Sequence, residues 1–199
     1  MKNKAIFLDR DGVINQMVYN TEFGIIHSPI LAKHVELVHG IENFLTITKK
    51  LGYLLIVISN QPNIGIKKMS EQQFKNINEK IKSELKKYDI VIDEEYYCLH
   101  HPFAQIKKYK KNCLCRKPNT LLFKKAIKKF NIDVKKSWVI GDGVFDIMAG
   151  NKIGAKTILL TNLKESAYLE LLTKQLKYDQ PKIIVKNLNE AAIIVSKGL

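Results

Sequence analysis

The sequence predicts an α/β protein built as a doubly wound, Rossmann-like parallel sheet with helices on both faces. Three observations carry that expectation. Short apolar runs alternate with amphipathic stretches along the 199 residues. The runs are nearly continuous in hydrophobicity, as in strands covered on both faces. The chemically loaded residues follow directly after the runs, where ligands bind in open parallel sheets.

The expected strands are Ala5–Leu8, Tyr53–Ser59, Tyr96–Cys98, Trp138–Gly141, Thr157–Leu160 and Ile183–Val185. Each is rich in β-branched or aromatic residues. The expected helices are Ile41–Leu51, Glu71–Lys87, Leu121–Phe130 and Glu165–Leu176. In the third, Leu122, Phe123, Ala126, Ile127 and Phe130 form one stripe at helical spacing. Ser70 followed by Gln73 resembles a capping box at the start of the second. Alternation in this order implies a sheet under layers of helix. No repeat, low-complexity linker or Pro/Gly-rich boundary divides the chain, so one domain over residues 1–199 is expected.

The net charge is +14, and all 33 basic residues except Arg10 and Arg116 are lysine. Nucleic-acid readers use arginine for bidentate contacts to guanine and phosphate. Scattered lysines such as Lys124-Lys125 and Lys128-Lys129 read instead as solvated helix faces. No run of exposed aromatics offers bases a stacking platform. A nucleic-acid partner is therefore not expected, whereas a small anionic substrate would be attracted. No apolar run reaches the ~18 residues of a membrane span. Ala5–Leu8 is too short for a signal-peptide core, so a cytoplasmic protein is expected.

Ala5–Leu8 runs into Asp9-Arg10-Asp11-Gly12-Val13-Ile14-Asn15. Two carboxylates two residues apart after a buried strand can share one site; the plainer reading is an acidic turn. A second acidic cluster follows Trp138–Gly141, with Asp142 at the strand end and Asp146 one turn into a helix. Mg²⁺ takes hard oxygen ligands in octahedral geometry and keeps several waters. Asp9, the backbone carbonyl of Asp11, and Asp142 meet that need. Asp146 can instead be read as a helix N-terminal acid favoured by the macrodipole. Between the clusters, the run ending at Ser59-Asn60-Gln61 puts a hydroxyl at a strand end. Arg116-Lys117-Pro118 offers a guanidinium fork and a point charge to phosphate, with Pro118 suited to a first helical turn.

These four pieces, in this order, resemble the four motifs of the haloacid dehalogenase superfamily of phosphotransferases, and the resemblance spans essentially the whole chain. It implies that Asp9 attacks phosphorus and that Asp11 protonates the leaving oxygen and later activates water. It implies that Ser59 and Lys117 hold the transferring phosphoryl group. Asp142 then helps hold Mg²⁺, and Asn60, Gln61 and Arg116 are expected to contact substrate. Arg10 stays open, because strand alternation turns it away from the face shared by Asp9 and Asp11. It reads as a loop anchor or a substrate contact.

All three cysteines lie between positions 98 and 115, as Cys98-Leu99-His100-His101 and, after a lysine-rich loop, Cys113-Leu114-Cys115. Three thiolates and an imidazole make a closed tetrahedral zinc site. A cytoplasmic chain disfavours disulfides. His100 repeats the i, i+2 spacing of Cys113 and Cys115; His101 is the alternative. Zinc bound there orders the loop and fixes Arg116 and Lys117 beside the carboxylates.

Asp-Arg-Asp-Gly-Val-Ile-Asn, Cys-Leu-His-His-Pro and Cys-Leu-Cys-Arg-Lys-Pro closely resemble the bacterial D-glycero-D-manno-heptose 1,7-bisphosphate 7-phosphatases. Those enzymes lack a large cap domain and serve surface-polysaccharide synthesis. Histidinol-phosphate phosphatases carry the same zinc loop, usually with a shorter spacer than the twelve residues between His100 and Cys113. Two stretches depart from the heptose pattern, Pro62–Lys68, whose Gly65 placement is similar to the histidinol-phosphate branch, and Gln16–Ala32. The resemblance implies a phosphatase of small phosphorylated metabolites, with a monomer the default state.

Overall fold

The computed structural model describes residues 2–161 and 166–198. Its strands are β1 (Lys4–Leu8), β2 (Val18–Asn20), β3 (Ile25–His27), β4 (Tyr53–Asn60), β5 (Glu94–Cys98), β6 (Trp138–Gly141), β7 (Lys156–Leu160) and β8 (Ile183–Val185). Its helices are α1 (Ile41–Lys50), α2 (Glu71–Lys86), α3 (Leu121–Phe130), α4 (Val144–Ile153), α5 (Ser166–Gln175) and α6 (Leu188–Lys197). All six expected strands and all four expected helices form, with ends shifted by at most two residues. Glu165, the expected start of α5, lies outside the described residues.

Six strands make one sheet in the order β5-β4-β1-β6-β7-β8, every neighbouring pair parallel. Counted along the chain, this is the 3-2-1-4-5-6 order of a doubly wound sheet. The winding reverses between β1 and β6. There the Asp9 backbone N–H donates to the Ile140 carbonyl at 3.0 Å and ties the two strand ends together.

Strand periodicity sorts the core into two layers. Ile6, Leu8, Leu55, Val57, Trp138 and Ile140 point to one face, where Phe44, Ile81 and Leu188 of α1, α2 and α6 cover them. Ala5, Phe7, Ile56, Ile58 and Val139 point to the other, under Leu122, Phe123 and Ala126 of α3. Phe7 meets Phe123 edge to face, with ring centroids 5.3 Å apart. This two-sided burial is why the strands read as continuous apolar runs.

The Ser70–Gln73 capping box forms reciprocally, as expected. Strands β2 and β3 and helix α6 were not read from the sequence. The segment after the acidic motif folds as the β2–β3 hairpin, whose Tyr19, Phe23, Ile25 and Ile26 are exposed. Helix α6 buries Leu188, Ala191, Ala192 and Val195, a stripe of mostly small residues.

Candidate active site

The carboxyl ends of β1, β4 and β6 lie side by side, and the catalytic candidates gather there. Lys117 is the centre of one network. Its side chain is 2% exposed, and its ammonium donates to Asp9 Oδ1 at 2.9 Å, to the Ile58 carbonyl at 2.8 Å, and to Asp146 Oδ1. Those partners use all three of its N–H donors. Its main chain is pinned by Asn60, whose Oδ1 accepts from Lys117 N at 3.0 Å and whose Nδ2 donates to Lys117 O at 3.1 Å. Asn60, expected to contact substrate, spends its amide on holding Lys117.

Asp9, Asp142 and Asp146 each place a carboxylate oxygen within 4.8 Å of the others. Three carboxylates gathered around one ammonium make a cluster of hard oxygen donors, which fits a divalent cation such as Mg²⁺. Burial would lower the Lys117 pKa, but the charges of Asp146 and Asp9 raise it on balance, so the ammonium stays protonated. Asp146 is pushed up to about 7, first by burial, with Asp9 and Asp142 adding and Lys117 opposing. Its carboxylate is a buried member of the cluster, more than a helix-end acid.

Glycine permits this approach. Gly12 has φ +81°, and a Cβ there would lie 2.4 Å from Asp142 Oδ2. The turn after β1 therefore runs directly beneath the Asp142 carboxylate, which only a residue without a side chain allows.

Asp11 belongs to a second network. Arg10 Nε and Nη2 donate to its two oxygens, each at 3.1 Å. Asn15 Nδ2 donates to Oδ1 at 3.0 Å and Gln61 Nε2 to Oδ2 at 2.7 Å. Gln61 also donates to Ser59 Oγ at 3.0 Å, which ties the expected phosphoryl-binding hydroxyl to the Asp11 group. Gln61 is 2% exposed, so it braces the site from within. The Asp11 carboxylate is not part of the Asp9–Asp142–Asp146 cluster. Sequence reading missed Asn15 and Asn78 as site residues. Asn78 had a signal: it is a polar residue on the buried face of α2, with Ile77, Ile81 and Leu85, and buried polar groups have partners.

The cysteine loop forms the third group. Cys98, His100, Cys113 and Cys115 converge within 4.8 Å of one another. The sulfurs lie 3.1–3.5 Å apart, and His100 Nδ1 is 3.1 Å from Cys115 Sγ. Sulfurs around one zinc at about 2.3 Å stand about 3.8 Å apart, so this donor set fits zinc with small adjustment. Burial raises the thiol pKa values of Cys98 and Cys115, and a cation relieves that pressure by stabilising thiolates. His101 faces elsewhere, its Nδ1 accepting from Phe103 N at 3.2 Å. Of the two histidines, His100 joins the thiols.

The loop does not depend on the thiols alone. Ala104 and Tyr109 are buried in the main core, and Gln105 N and Ile106 N donate to the Gly65 carbonyl at 2.8 and 3.0 Å. Directly after Cys115, Arg116 donates to the His100 carbonyl at 3.4 Å. It lines a cleft beside Lys117 with Lys111, Asn112, Asn119 and Phe145.

A family model described as "HAD-hyrolase-like" matches residues 114–191. The D-glycero-beta-D-manno-heptose-1,7-bisphosphate 7-phosphatase of Haemophilus ducreyi is 37% identical over 161 residues, covering 80% of this chain and 84% of that one. The Haemophilus influenzae protein of the same name is 38% identical, covering 77% and 78%. A crystal structure of D,D-heptose 1,7-bisphosphate phosphatase from B. bronchiseptica, complexed with magnesium and phosphate, superposes with a TM-score of 0.78. It is 18% identical and the match covers 98% of this chain and 99% of that one. No helix among the described residues is long and apolar enough to cross a membrane. The chain is a phosphatase and belongs to the haloacid dehalogenase-like hydrolases, in the family of the heptose-bisphosphate phosphatases.

Proposed function

We propose that this single-domain chain hydrolyses the 7-phosphate of D-glycero-D-manno-heptose 1,7-bisphosphate through an aspartyl phosphate on Asp9. The observation that carries the chemistry is Asp9 at the switch point of the sheet, 2.9 Å from the buried Lys117 ammonium. In the first step an Asp9 oxygen forms a bond to phosphorus while the ester P–O bond breaks. Asp11, protonated for this step and freed of one of the four N–H donors it accepts from, gives its proton to the leaving oxygen. In the second step a water oxygen attacks the same phosphorus as Asp11 takes the water's proton. The acyl-phosphate P–O bond then breaks, and inorganic phosphate and free Asp9 result. Two steps with a carboxylate nucleophile replace one difficult displacement.

Lys117, by exchanging one of its present acceptors for a phosphoryl oxygen, and the Ser59 hydroxyl hold the equatorial phosphoryl oxygens in line with Asp9. Asp9, Asp142 and the Asp11 carbonyl would hold Mg²⁺, with Asp146 beside them. Bound there, the ion neutralises charge on the phosphoryl oxygens. Cys98, His100, Cys113 and Cys115 would hold zinc as a structural ion, consistent with reduced cysteines in a cytoplasm.

The cleft beyond Lys117 supports a bisphosphate. Lys111 and Arg116 line it, and two cations suit the phosphate that is not transferred. Histidinol phosphate carries an ammonium instead, which the same cations repel. The relatives at 37–38% identity favour the heptose substrate as well.

A phosphate-release assay with Mg²⁺ over heptose 1,7-bisphosphate, histidinol phosphate and a 3′-phosphorylated oligonucleotide tests the substrate. The heptose is expected to give the highest kcat/KM; preference for either competitor replaces it. Asp9→Asn is expected to abolish release without lowering Tm, and retained turnover would overturn the mechanism.

A further inference from the structure

Arg10 is a buried cation that the scheme above does not use. Its side chain is 1% exposed, and all three of its guanidinium nitrogens donate to protein groups. Its guanidinium grips both oxygens of Asp11. The same group donates to Gln61 Oε1 at 2.7 Å and to Asn78 Oδ1 at 2.9 Å. The rings of Phe74 and Tyr97 lie 5.6 and 5.9 Å from its central carbon. Phe74 and Asn78 both belong to α2, so Arg10 ties Asp11 to that helix.

Stability is a weak reason for such a pair. Desolvating two charges costs about as much as their attraction returns, and packed apolar residues often serve as well. Geometry is what the guanidinium adds. Its planar fork fixes both the place and the plane of a carboxylate, which a lysine ammonium does not. A proton donor must lie within hydrogen-bond reach of the leaving oxygen. Misplacement by about 1 Å can cost about 10²-fold in rate.

We infer that Arg10 is a positioning residue for Asp11. Anchored on Asn78 and Gln61, its fork sets the position from which Asp11 passes a proton to the leaving oxygen. This rests on the reading of Asp11 as the acid in the proposed reaction.

Leaving-group dependence separates positioning from plain structural support. With Mg²⁺ present, kcat/KM is measured over phenyl phosphates from p-nitrophenyl to p-methoxyphenyl, for wild type, D11N, R10Q, R10K and N78A. This constant covers the steps through phosphoryl transfer to Asp9. p-Nitrophenolate leaves without a proton, whereas p-methoxyphenol is helped by one. D11N is expected to lose about 10²–10⁴-fold on the poorest leaving group and little on p-nitrophenyl phosphate. R10Q follows the same pattern with about 10²-fold, and R10K, with charge but no fork, keeps most of the defect. N78A removes one anchor and leaves Arg10 in place, so it shows a weaker version and carries the test if R10Q folds poorly. A loss uniform across the series in R10Q or N78A overturns the inference and makes Arg10 structural. A flat D11N response overturns the acid role of Asp11, and the inference with it, while leaving Asp9 as nucleophile untouched.

Discussion

Asp9, Ser59 and Asp142 stand at the ends of three neighbouring strands, whereas Cys98, His100, Cys113 and Cys115 bridge the end of β5 and a loop fifteen residues on. The strand-end group carries its own counter-charge: Lys117 faces Asp9 and Asp146 and is pinned through Asn60. The thiol group brings three thiols and one imidazole together. Sheet pairing fixes the first group before any ion binds. The second gathers groups that burial makes reluctant to ionise, and it depends on a cation to settle them. Metal should thus complete the strand-end site but assemble the thiol site.

Breaking the strand-end group should have the largest effect. Lys117→Met leaves the buried Asp146 and the partly buried Asp9 carboxylates without their cation, and removing one partner of a buried pair costs about 3–5 kcal/mol. Thermal unfolding should register that loss. kcat should fall by about 10²–10³ as a donor to the phosphoryl oxygens disappears. A variant with unchanged Tm would show that the lysine and carboxylates are not the balanced unit described.

Breaking the thiol group should cost less. Cys115→Ser is expected to reduce bound zinc from about one equivalent to none by elemental analysis, and to lower kcat/KM about tenfold. Lys117 stays held by Asn60, and the loop by Ala104 and Tyr109. A loss as deep as that of Lys117→Met would mean that the loop, not the sheet, places the lysine.

The smallest effect sharpens the comparison at one atom. Gly12→Ala puts a Cβ at φ +81° and against Asp142. The left-handed backbone costs about 1–2 kcal/mol, which lowers Tm by roughly 2–8 °C. Displacing Asp142 should raise the Mg²⁺ concentration needed for half-maximal rate and leave zinc content unchanged. A fall in zinc content would contradict the independence of the two groups.

How far the sequence reached differs between parts of the molecule. The inner strands β1, β4, β6 and β7 were legible because they are buried on both faces, so their runs are long on apolar residues and short on ambiguity. The β2–β3 hairpin was not: three-residue strands with Tyr19, Ile25 and Ile26 exposed carry no inward-outward pattern. Helix α6 hid because alanines mark its buried face. Asp9, Lys117 and Asp142 were legible through their motifs. Asn60 and Gln61 were legible as site residues, yet their partners were not, because a motif does not tell whether an amide faces substrate or protein.

The order of apolar runs and the residues that follow them determined the doubly wound sheet, the acidic cluster and the thiol set. All three are written as local spacing, and local spacing maps directly onto strand ends and ligand geometry. Tertiary structure decided how the charges divide. Asp9 and Asp11 are two residues apart, but Lys117 holds one and Arg10 the other. That division depends on α2 bringing Asn78 to Arg10 across 68 positions, and on Asn60 holding Lys117 across 57. Contacts at such separations exist only once the sheet has closed, so no reading of neighbours along the chain contains them.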